Sequence, residues 1–314
     1  MNISFENQSV EPSPVLADPF NIHNETGYQS WRAAKLAGFP ATLDECITRI
    51  KDLADPSESE AQGIAACCRR ANMALYHCEA GFNDERALRG ALIAFASAFG
   101  LSTPERHRSA GDDGVVALQV SDAPAQRGFI PYTDRPLNWH TDGYYNDPRQ
   151  PIRSFILHCV RPARSGGENM LLDPGIAYIR LRDENPAFIA ALTHPQAMTV
   201  PEHVEEQGGV RQASTGPVFS IDPASGALQM RYTARARNIV WRDDRTTRAA
   251  VDFLNRALAA GDPLIFRHRL EPGQGLICNN VLHNRTRFAD PEGDEAGRLI
   301  LRLRYRERIA GTTH

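Results

Sequence analysis

Lysine is almost absent from this sequence: of its 35 basic residues, two are lysines (Lys35 and Lys51) and the other 33 are arginines. The 38 acidic residues outnumber the basic ones and leave a formal net charge of −3. The chain therefore lacks the basic surface that attracts nucleic acids and anionic membranes. We expect neither a nucleic-acid partner nor a membrane partner.

Long apolar runs and a secretory leader are also missing. No stretch approaches the ~18 apolar residues that span a bilayer. Residues 1–15 do not combine a basic start with an apolar run, as a secretory signal does. These absences predict a cytoplasmic protein.

Cysteine spacing of the kind that binds zinc or forms redox pairs is absent as well. The six cysteines include no C-x-x-C pair and show no zinc-finger spacing. In a reducing compartment we expect them to be small, buried, apolar side chains. With 42% hydrophobic and 23% charged residues among 314, the sequence is typical of a soluble globular protein with ample material for a core.

The N-terminal third is predicted to be mainly helical. Residues 1–24 are rich in Pro, Asn and Ser and are predicted to form a flexible arm, followed by a helical layer at 25–110. One helix is expected after Thr42, because apolar residues follow at helical spacing up to Leu53. A second is expected after the capping-box pair Ser57 and Glu60 and continues to Leu75. A third begins at Asp84 and ends at Gly100.

The remainder, residues 111–314, changes to short β-rich segments. Strands are predicted at 115–120, 154–160, 170–173, 264–269, 275–279 and 298–306. A hairpin is predicted from 218–221 and 227–233, and helices at 174–192, broken by Pro186, and at 246–260. Many short strands with a few covering helices indicate an α+β protein that is mainly β: a single catalytic domain built on an antiparallel barrel or jelly roll.

The most informative motif is His140-Thr141-Asp142. In an extended backbone, side chains two positions apart share a face, so His140 and Asp142 should lie side by side. They would form two thirds of a facial triad, which leaves three positions open on iron(II). The best candidate for the second imidazole is His283, and an arginine, Arg298, follows fifteen residues later at the start of a strand. Taken alone, so short a pattern also fits ordinary polar residues and an unrelated core histidine.

These residues resemble the iron(II)/2-oxoglutarate-dependent oxygenases of the taurine and chlorophenoxyacetate dioxygenase superfamily. Further segments are similar to its γ-butyrobetaine and trimethyllysine hydroxylase branch: Leu157-His158-Cys159, Gly166-Gly167-Glu168-Asn169, Leu172-Asp173 and the segment from Arg182 to Pro186. The similarity runs from about Trp139 to Pro186 and from Asn279 to Tyr305. It implies a double-stranded β-helix with iron and the co-substrate inside one mouth.

The resemblance also implies roles for individual residues. His140, Asp142 and His283 would be the metal ligands and the catalytic centre. Arg298 would pair with the distal carboxylate of 2-oxoglutarate, because an arginine binds a carboxylate in bidentate fashion, and Asn169 would contact the same co-substrate. The cofactors implied are Fe(II), 2-oxoglutarate and O₂, and the reaction would yield succinate and CO₂.

The substrate is expected to be a small polar metabolite, with a carboxylate or sulfonate favoured. Arg302 lies four residues after Arg298 on the same strand face, which matches the substrate-binding arginine of taurine-type enzymes. Three residues near the motif could also contact the substrate: Asn138, Trp139 and Tyr144. The alternative is a trimethylammonium substrate held by aromatic walls. We expect Arg304 and Arg306 to face solvent on an edge strand and His158 to be a satisfied core histidine.

Other functions remain open at this stage. A metal- or 2-oxoglutarate-binding sensor without turnover would share the same residues. A zinc hydrolase is disfavoured because the sequence has neither a metalloprotease glutamate nor a Gly-x-Ser-x-Gly elbow. Halogenation is disfavoured because Asp142 occupies the position that those enzymes leave to chloride. The helical layer could cover the barrel or pair subunits, so a homo-oligomer also remains open.

Overall fold

A computed structural model describes residues 18–312, apart from residues 80, 83, 106–110, 124, 125, 128, 205–208, 224, 236, 238 and 293–295. Of the predicted flexible arm, residues 1–24, the first 17 lie outside the described residues. In the described part, the helices are α1 (Glu25–Gly38), α2 (Glu58–Ala71), α3 (Glu85–Ala98), α4 (Pro174–Glu184), α5 (Pro186–Leu192) and α6 (Arg245–Ala260), with 3₁₀ turns at Leu43–Cys46 and Ile130–Tyr132.

Nineteen strands, many of them short, are found in the described chain. In order they are β1 (Ile47–Ile50), β2 (Met73–Cys78), β3 (Val116–Leu118), β4 (Leu137–His140), β5 (Ser154–Arg161), β6 (Ser165–Gly166), β7 (Asn169–Leu172), β8 (Met198–Val200), β9 (His203–Val204), β10 (Val210–Arg211), β11 (Ser214–Gly216), β12 (Phe219–Ile221), β13 (Leu228–Met230), β14 (Val240–Trp241), β15 (Phe266–His268), β16 (Gln274–Cys278), β17 (Leu282–Arg285), β18 (Phe288–Ala289) and β19 (Leu299–Tyr305).

Two sheets define the architecture. The larger has the order β1-β2-β16-β5-β19-β3, and the smaller has the order β15-β7-β17-β4. Their inner faces meet: the ring of Phe155 on β5 lies 4.8 Å, centroid to centroid, from that of His283 on β17. All strand pairs in these sheets are antiparallel except β1 with β2. The protein is therefore α+β, with two facing sheets as the jelly-roll prediction expects.

Helices cover the outer face of the larger sheet. Tyr76 of β2 packs against Phe95 of α3, with 4.6 Å between ring centroids. The Tyr76 hydroxyl also lies 3.1 Å from Nδ1 of His158 on β5. Burial lowers the pKa of His158 to about 4, so this histidine is neutral and hydrogen-bonded in the core. The expectation that His158 is a satisfied core histidine is confirmed.

The N-terminal region contains strands as well as helices, and the prediction of a helix after Thr42 is wrong. The segment after Thr42 makes only a 3₁₀ turn, and Ile47–Ile50 then forms a strand parallel to β2. β-Branched side chains at three of these four positions favour a strand. Helix α2 begins at the predicted capping box but ends at Ala71 rather than Leu75, because Asn72 adopts a left-handed conformation with φ of 56°.

Most other predicted elements are confirmed within a few residues. Helix α3 is capped by Asp84, and Pro186 separates α4 from α5. The predicted hairpin is the antiparallel pair of β12 and β13. The six cysteines are all free and buried, as expected. Among the described residues, no helix is both long and apolar enough to cross a membrane.

A buried ion pair joins α1 to the start of α4. Nζ of Lys35 lies 2.5 Å from Oδ2 of Asp173, and their side chains are 5% and 0% exposed. Asp173 also caps α4 through the backbone N–H of Gly175 and accepts a hydrogen bond from Nδ2 of Asn72. The carboxylate is therefore surrounded by donors, and one of them carries its neutralising charge.

Replacing Lys35 by methionine should lower the free energy of unfolding by about 3–5 kcal/mol, because it leaves the Asp173 carboxylate buried without its counter-charge. Denaturant unfolding would measure the change. The matched control is Lys51→Met, which removes the only other lysine, an exposed one, and should change stability by less than 1 kcal/mol. Equal losses in the two variants would contradict this account of the ion pair.

Candidate metal centre

Three predicted residues meet between the two sheets. His140 ends β4, Asp142 follows two residues later, and His283 lies on β17, where it pairs directly with His140 in the strand register. The imidazole centroids of the two histidines are 4.2 Å apart. One ligand atom from each of the three residues can be chosen so that all lie within 4.8 Å of one another. This buried set could hold a single metal ion.

The backbone fixes which nitrogen of each histidine is available. Nδ1 of His140 lies 2.8 Å from the carbonyl oxygen of Asn138, and Nδ1 of His283 lies 2.9 Å from that of Val281. A carbonyl only accepts, so each Nδ1 donates its proton and each Nε2 keeps a free lone pair. Burial lowers the pKa of His283 to about 3 and keeps this imidazole neutral, as metal ligation requires.

Asp142 is ionised although it is buried. Burial alone would raise the pKa of this carboxyl, but the positive charges of Arg302 and Arg304 hold it well below its usual value. Nη1 of Arg302 lies 3.6 Å from Oδ1, and Nη1 of Arg304 lies 3.8 Å from it. Oδ2 has no hydrogen-bond partner among the described residues. Such an orphaned oxygen beside two free imidazole nitrogens fits a bound cation.

Asn280 fastens the two ligand-bearing segments together. Its Oδ1 accepts a hydrogen bond from the backbone N–H of Asp142 at 2.8 Å, and its Nδ2 donates to the carbonyl oxygen of Asp142 at 3.0 Å. Nδ2 also donates to the carbonyl of Ile152 at 2.7 Å. Asn280 adopts a left-handed conformation, with φ of 48°, three residues before His283. The backbone of Asp142 is thus held against the strand that carries His283.

A second cluster of buried cations is formed by Arg285, two residues after His283 on β17, and Arg298, which directly precedes β19. The guanidinium groups of Arg285 and Arg298 lie 4.8 and 5.1 Å from the centroid of Phe288. Nη1 of Arg298 is buried without a hydrogen-bond partner, and no described carboxylate lies within ion-pair distance of it. Asn169 on β7 pairs with Arg285 of β17, two residues from His283. The predicted residues Arg298 and Asn169 thus both lie close to Arg285.

A cavity of about 1160 Å³ opens beside the candidate metal ligands. The predicted residues Asn138, Tyr144 and Arg302 line it. Trp139 does not: it is 8% exposed and packs in the hydrophobic core. Neighbouring side chains on a strand point to opposite faces, so Trp139 lies on the face away from His140. Its prediction as a substrate contact is wrong.

The expectation for Arg304 and Arg306 is also wrong. Strand β19 lies between β5 and β3 and is not an edge strand. Arg304 is 4% exposed, pairs with Glu105 and lies 3.1 Å from the Tyr145 hydroxyl. Arg306 is half-buried, and both arginines line the cavity.

Tyr144 lies near His140 and also near two arginines of the cavity wall, Arg235 and Arg211. Its ring centroid lies 6.4 Å from that of His140. Burial raises the pKa of Tyr144, and the nearby positive charges of Arg235 and Arg211 oppose the rise. Neither arginine was predicted from the sequence, since the irregular segments that carry them show no periodic pattern. Asn280 was also missed, although a doubled asparagine inside a β-rich run hints at a polar contact there.

Comparison with known proteins gives a consistent result. The family model described as "Taurine catabolism dioxygenase TauD, TfdA family" matches residues 80–304. The chain belongs to this family. The predicted resemblance to the taurine and chlorophenoxyacetate dioxygenase superfamily is confirmed at the level of the family. The γ-butyrobetaine branch is not singled out and stays a prediction.

Two curated relatives and one solved structure illustrate the similarity. The chain is 34% identical over 180 residues to a uridine-5'-phosphate dioxygenase from Amycolatopsis sp, covering 54% of this chain and 60% of that protein. It is 31% identical over 180 residues to one from Streptomyces sp, covering 54% and 62%. The chain thus spans about 60% of the length of these relatives.

The solved structure is that of the non-heme iron oxygenase OrfP in complex with Fe, succinate and a dihydroxylated arginine. It aligns with a TM-score of 0.59 at 15% identity and covers 81% of this chain and 82% of that one. At this identity the likeness concerns the fold, and it supports the jelly-roll prediction.

Replacing Asn280 by alanine should lower Fe(II) affinity by roughly 10–100-fold, the usual effect of removing a group that orients a metal ligand. Anaerobic titration of the apoprotein would measure it. The control is Asn284→Ala, because this buried asparagine on β17 accepts a hydrogen bond from the Met170 N–H and makes no hydrogen bond with Asp142. Equal Fe(II) affinity in both variants would contradict the role given to Asn280.

Proposed function

We propose that this protein is an Fe(II)/2-oxoglutarate-dependent dioxygenase that hydroxylates a small anionic metabolite at a centre where His140, Asp142 and His283 hold Fe(II). The observation that carries the proposal is the buried cluster of two free Nε2 atoms and one orphaned carboxylate oxygen. Two neutral imidazoles and one carboxylate suit a ferrous ion and leave three positions open. When bound, Fe(II) would allow O₂ to act as the oxidant: one oxygen atom would enter a substrate C–H bond, and the other would enter succinate as 2-oxoglutarate loses CO₂.

Arg298 binds the distal carboxylate of 2-oxoglutarate in this proposal. Its buried Nη1 has no hydrogen-bond partner among the described residues, and a bidentate carboxylate would satisfy it. Asn169 lies near Arg298 and can donate from its amide. The register puts Asn169 and Arg285 two residues from His283, or about 7 Å along the strand. A five-carbon dicarboxylate can span that separation.

Arg302 serves two purposes in the proposed site. Its charge keeps Asp142 ionised, and its Nε is buried without a hydrogen-bond partner. It lies on the cavity wall, so an anionic group of the substrate could satisfy the free N–H. The walls formed by Tyr144 and Tyr145 keep water away and restrict the substrate's orientation.

The names of the relatives reduce the number of candidate substrates. Two relatives are called uridine-5'-phosphate dioxygenases, which makes a nucleoside monophosphate the first compound to test. A trimethylammonium substrate is the second candidate, because Tyr132, Tyr144 and Tyr145 line the cavity as an aromatic cage would. The cavity wall also carries seven arginines, and their repulsion disfavours a cationic ligand.

Succinate formation from 2-oxoglutarate, followed with Fe(II), O₂ and a panel of phosphorylated, sulfonated and carboxylated metabolites, tests the proposed function. In Arg298→Ala, the KM for 2-oxoglutarate should rise by about two to three orders of magnitude, because a buried charged pair of about 3–5 kcal/mol is lost.

Arg287→Ala is the matched control, since it removes an exposed arginine next to the same phenylalanine. Its KM for 2-oxoglutarate should stay within about two-fold of the wild type. An unchanged KM in Arg298→Ala would remove Arg298 from this role. Lack of succinate from the wild type with every anionic compound would contradict an anionic substrate.

A further inference from the structure

The cavity wall is strongly positive although the whole chain is acidic. Its arginines are Arg149, Arg211, Arg235, Arg237, Arg302, Arg304 and Arg306, and its carboxylates are Glu105, Asp142 and Asp147. Among the described residues that line the cavity, seven positive charges against three negative ones leave a formal excess of four, whereas the whole chain carries −3. Doubly charged 2-oxoglutarate and Fe(II) would add no net charge. The excess is therefore available to a substrate.

Ion pairs neutralise only part of this wall. Arg149 pairs with Asp147, Arg304 with Glu105, and Arg302 lies 3.6 Å from Asp142. No ion pair among the described residues involves Arg211, Arg235, Arg237 or Arg306. Two of these four arginines, Arg211 and Arg235, are half-buried near Tyr144. Partly buried cations without a counter-charge favour the binding of an anionic ligand.

A backbone carbonyl orients the Arg211 side chain, and strand pairing locates the segment that carries Arg235. Nη2 of Arg211 donates to the carbonyl oxygen of Pro201 at 2.8 Å, which orients its guanidinium. The segment that carries Arg235 runs antiparallel to β4, with Thr233 opposite His140. Arg235 shares the face of Thr233 and lies about 7 Å farther along an extended chain. Both cations lie close enough to Tyr144 to act on its hydroxyl, and the Tyr144 ring centroid is 6.4 Å from that of His140.

We infer that Arg211 and Arg235 form an anion subsite that binds the phosphate of a phosphomonoester substrate while another part of that substrate reaches the metal centre. The inference rests on the proposed function and deepens it. Two guanidinium groups match a dianionic phosphate better than a monoanionic sulfonate or carboxylate, because its two negative charges balance their two positive charges while its terminal oxygens accept from both. The subsite is separate from Arg302, which lies beside Asp142.

Calorimetric titration of the protein loaded with Fe(II) and 2-oxoglutarate under anaerobic conditions tests this inference without turnover. The probes are inorganic phosphate, uridine 5'-monophosphate, uridine and taurine. At least one of the two phosphates should bind about ten-fold or more tightly than taurine, and uridine should bind more weakly than its monophosphate. Arg211→Gln and Arg235→Gln should each weaken phosphate binding by about ten-fold and flatten its salt dependence.

Arg149→Gln is the matched control, because it neutralises another arginine of the same cavity that already pairs with Asp147. Phosphate affinity should remain within about two-fold of the wild type in this variant. The inference is overturned if neither phosphate binds more tightly than taurine, or if both glutamine variants retain wild-type affinity. A preserved unfolding midpoint in each variant excludes misfolding as the cause of a loss.

Phosphate binding and succinate formation distinguish a failure of the subsite from a failure of the proposed function. If the loaded protein binds phosphate as expected but forms no succinate with any phosphorylated compound, the anion subsite stands and the proposed reaction does not. If succinate forms but the arginine variants bind phosphate normally, the reaction stands and the subsite does not.

Discussion

The interaction on which the site depends is the pairing of one buried carboxylate with cations from the opposite sheet. Asp142 is 5% exposed, and burial by itself would favour its protonated form. The guanidinium groups of Arg302 and Arg304 reach it from β19 and keep it charged. The carboxylate would thus lose its charge if the two sheets did not close on each other. The packing of the two sheets that completes the fold therefore also gives the site the negative charge that it needs to bind a cation.

Arginine suits this interior better than lysine would. A guanidinium stays charged in a desolvated setting and presents several N–H donors at fixed angles. The interior uses this property for Asp142, for the Arg285–Arg298 cluster around Phe288 and for the cavity wall. One of the two lysines, Lys35, is buried too, but it serves a structural ion pair outside the site. Among the described residues of the site, the buried positive charges are therefore all carried by arginine.

Two of the three proposed metal ligands could be predicted from a local rule, whereas the distant His283 was predicted by its position before Arg298. The two-residue period of a strand puts His140 and Asp142 on one face, whatever the rest of the fold does. The same rule places Trp139 on the opposite face, so its assignment to the substrate was an avoidable error. Arg298 and Asn169 were found through family resemblance, and the structure brings them together near Arg285.

The features that were missed depend on long-range pairing. Whether β19 is an edge or a central strand is decided by β3, more than 180 residues earlier in the chain, so the burial of Arg304 has no local signal. Strand β1 has apolar residues at a spacing that also fits a helix, and its pairing with β2 decides the outcome. Asn280 contacts a backbone 138 residues away. Such contacts follow from the closed sheets and not from any short pattern.

The most direct test of the central claim is an anaerobic titration of the apoprotein with Fe(II) and 2-oxoglutarate, followed by visible absorbance. The account predicts the weak charge-transfer band of the iron–2-oxoglutarate chelate in the wild type and its loss in His283→Ala. A wild-type protein that binds neither Fe(II) nor 2-oxoglutarate, or a His283→Ala variant with an unchanged band, would contradict it.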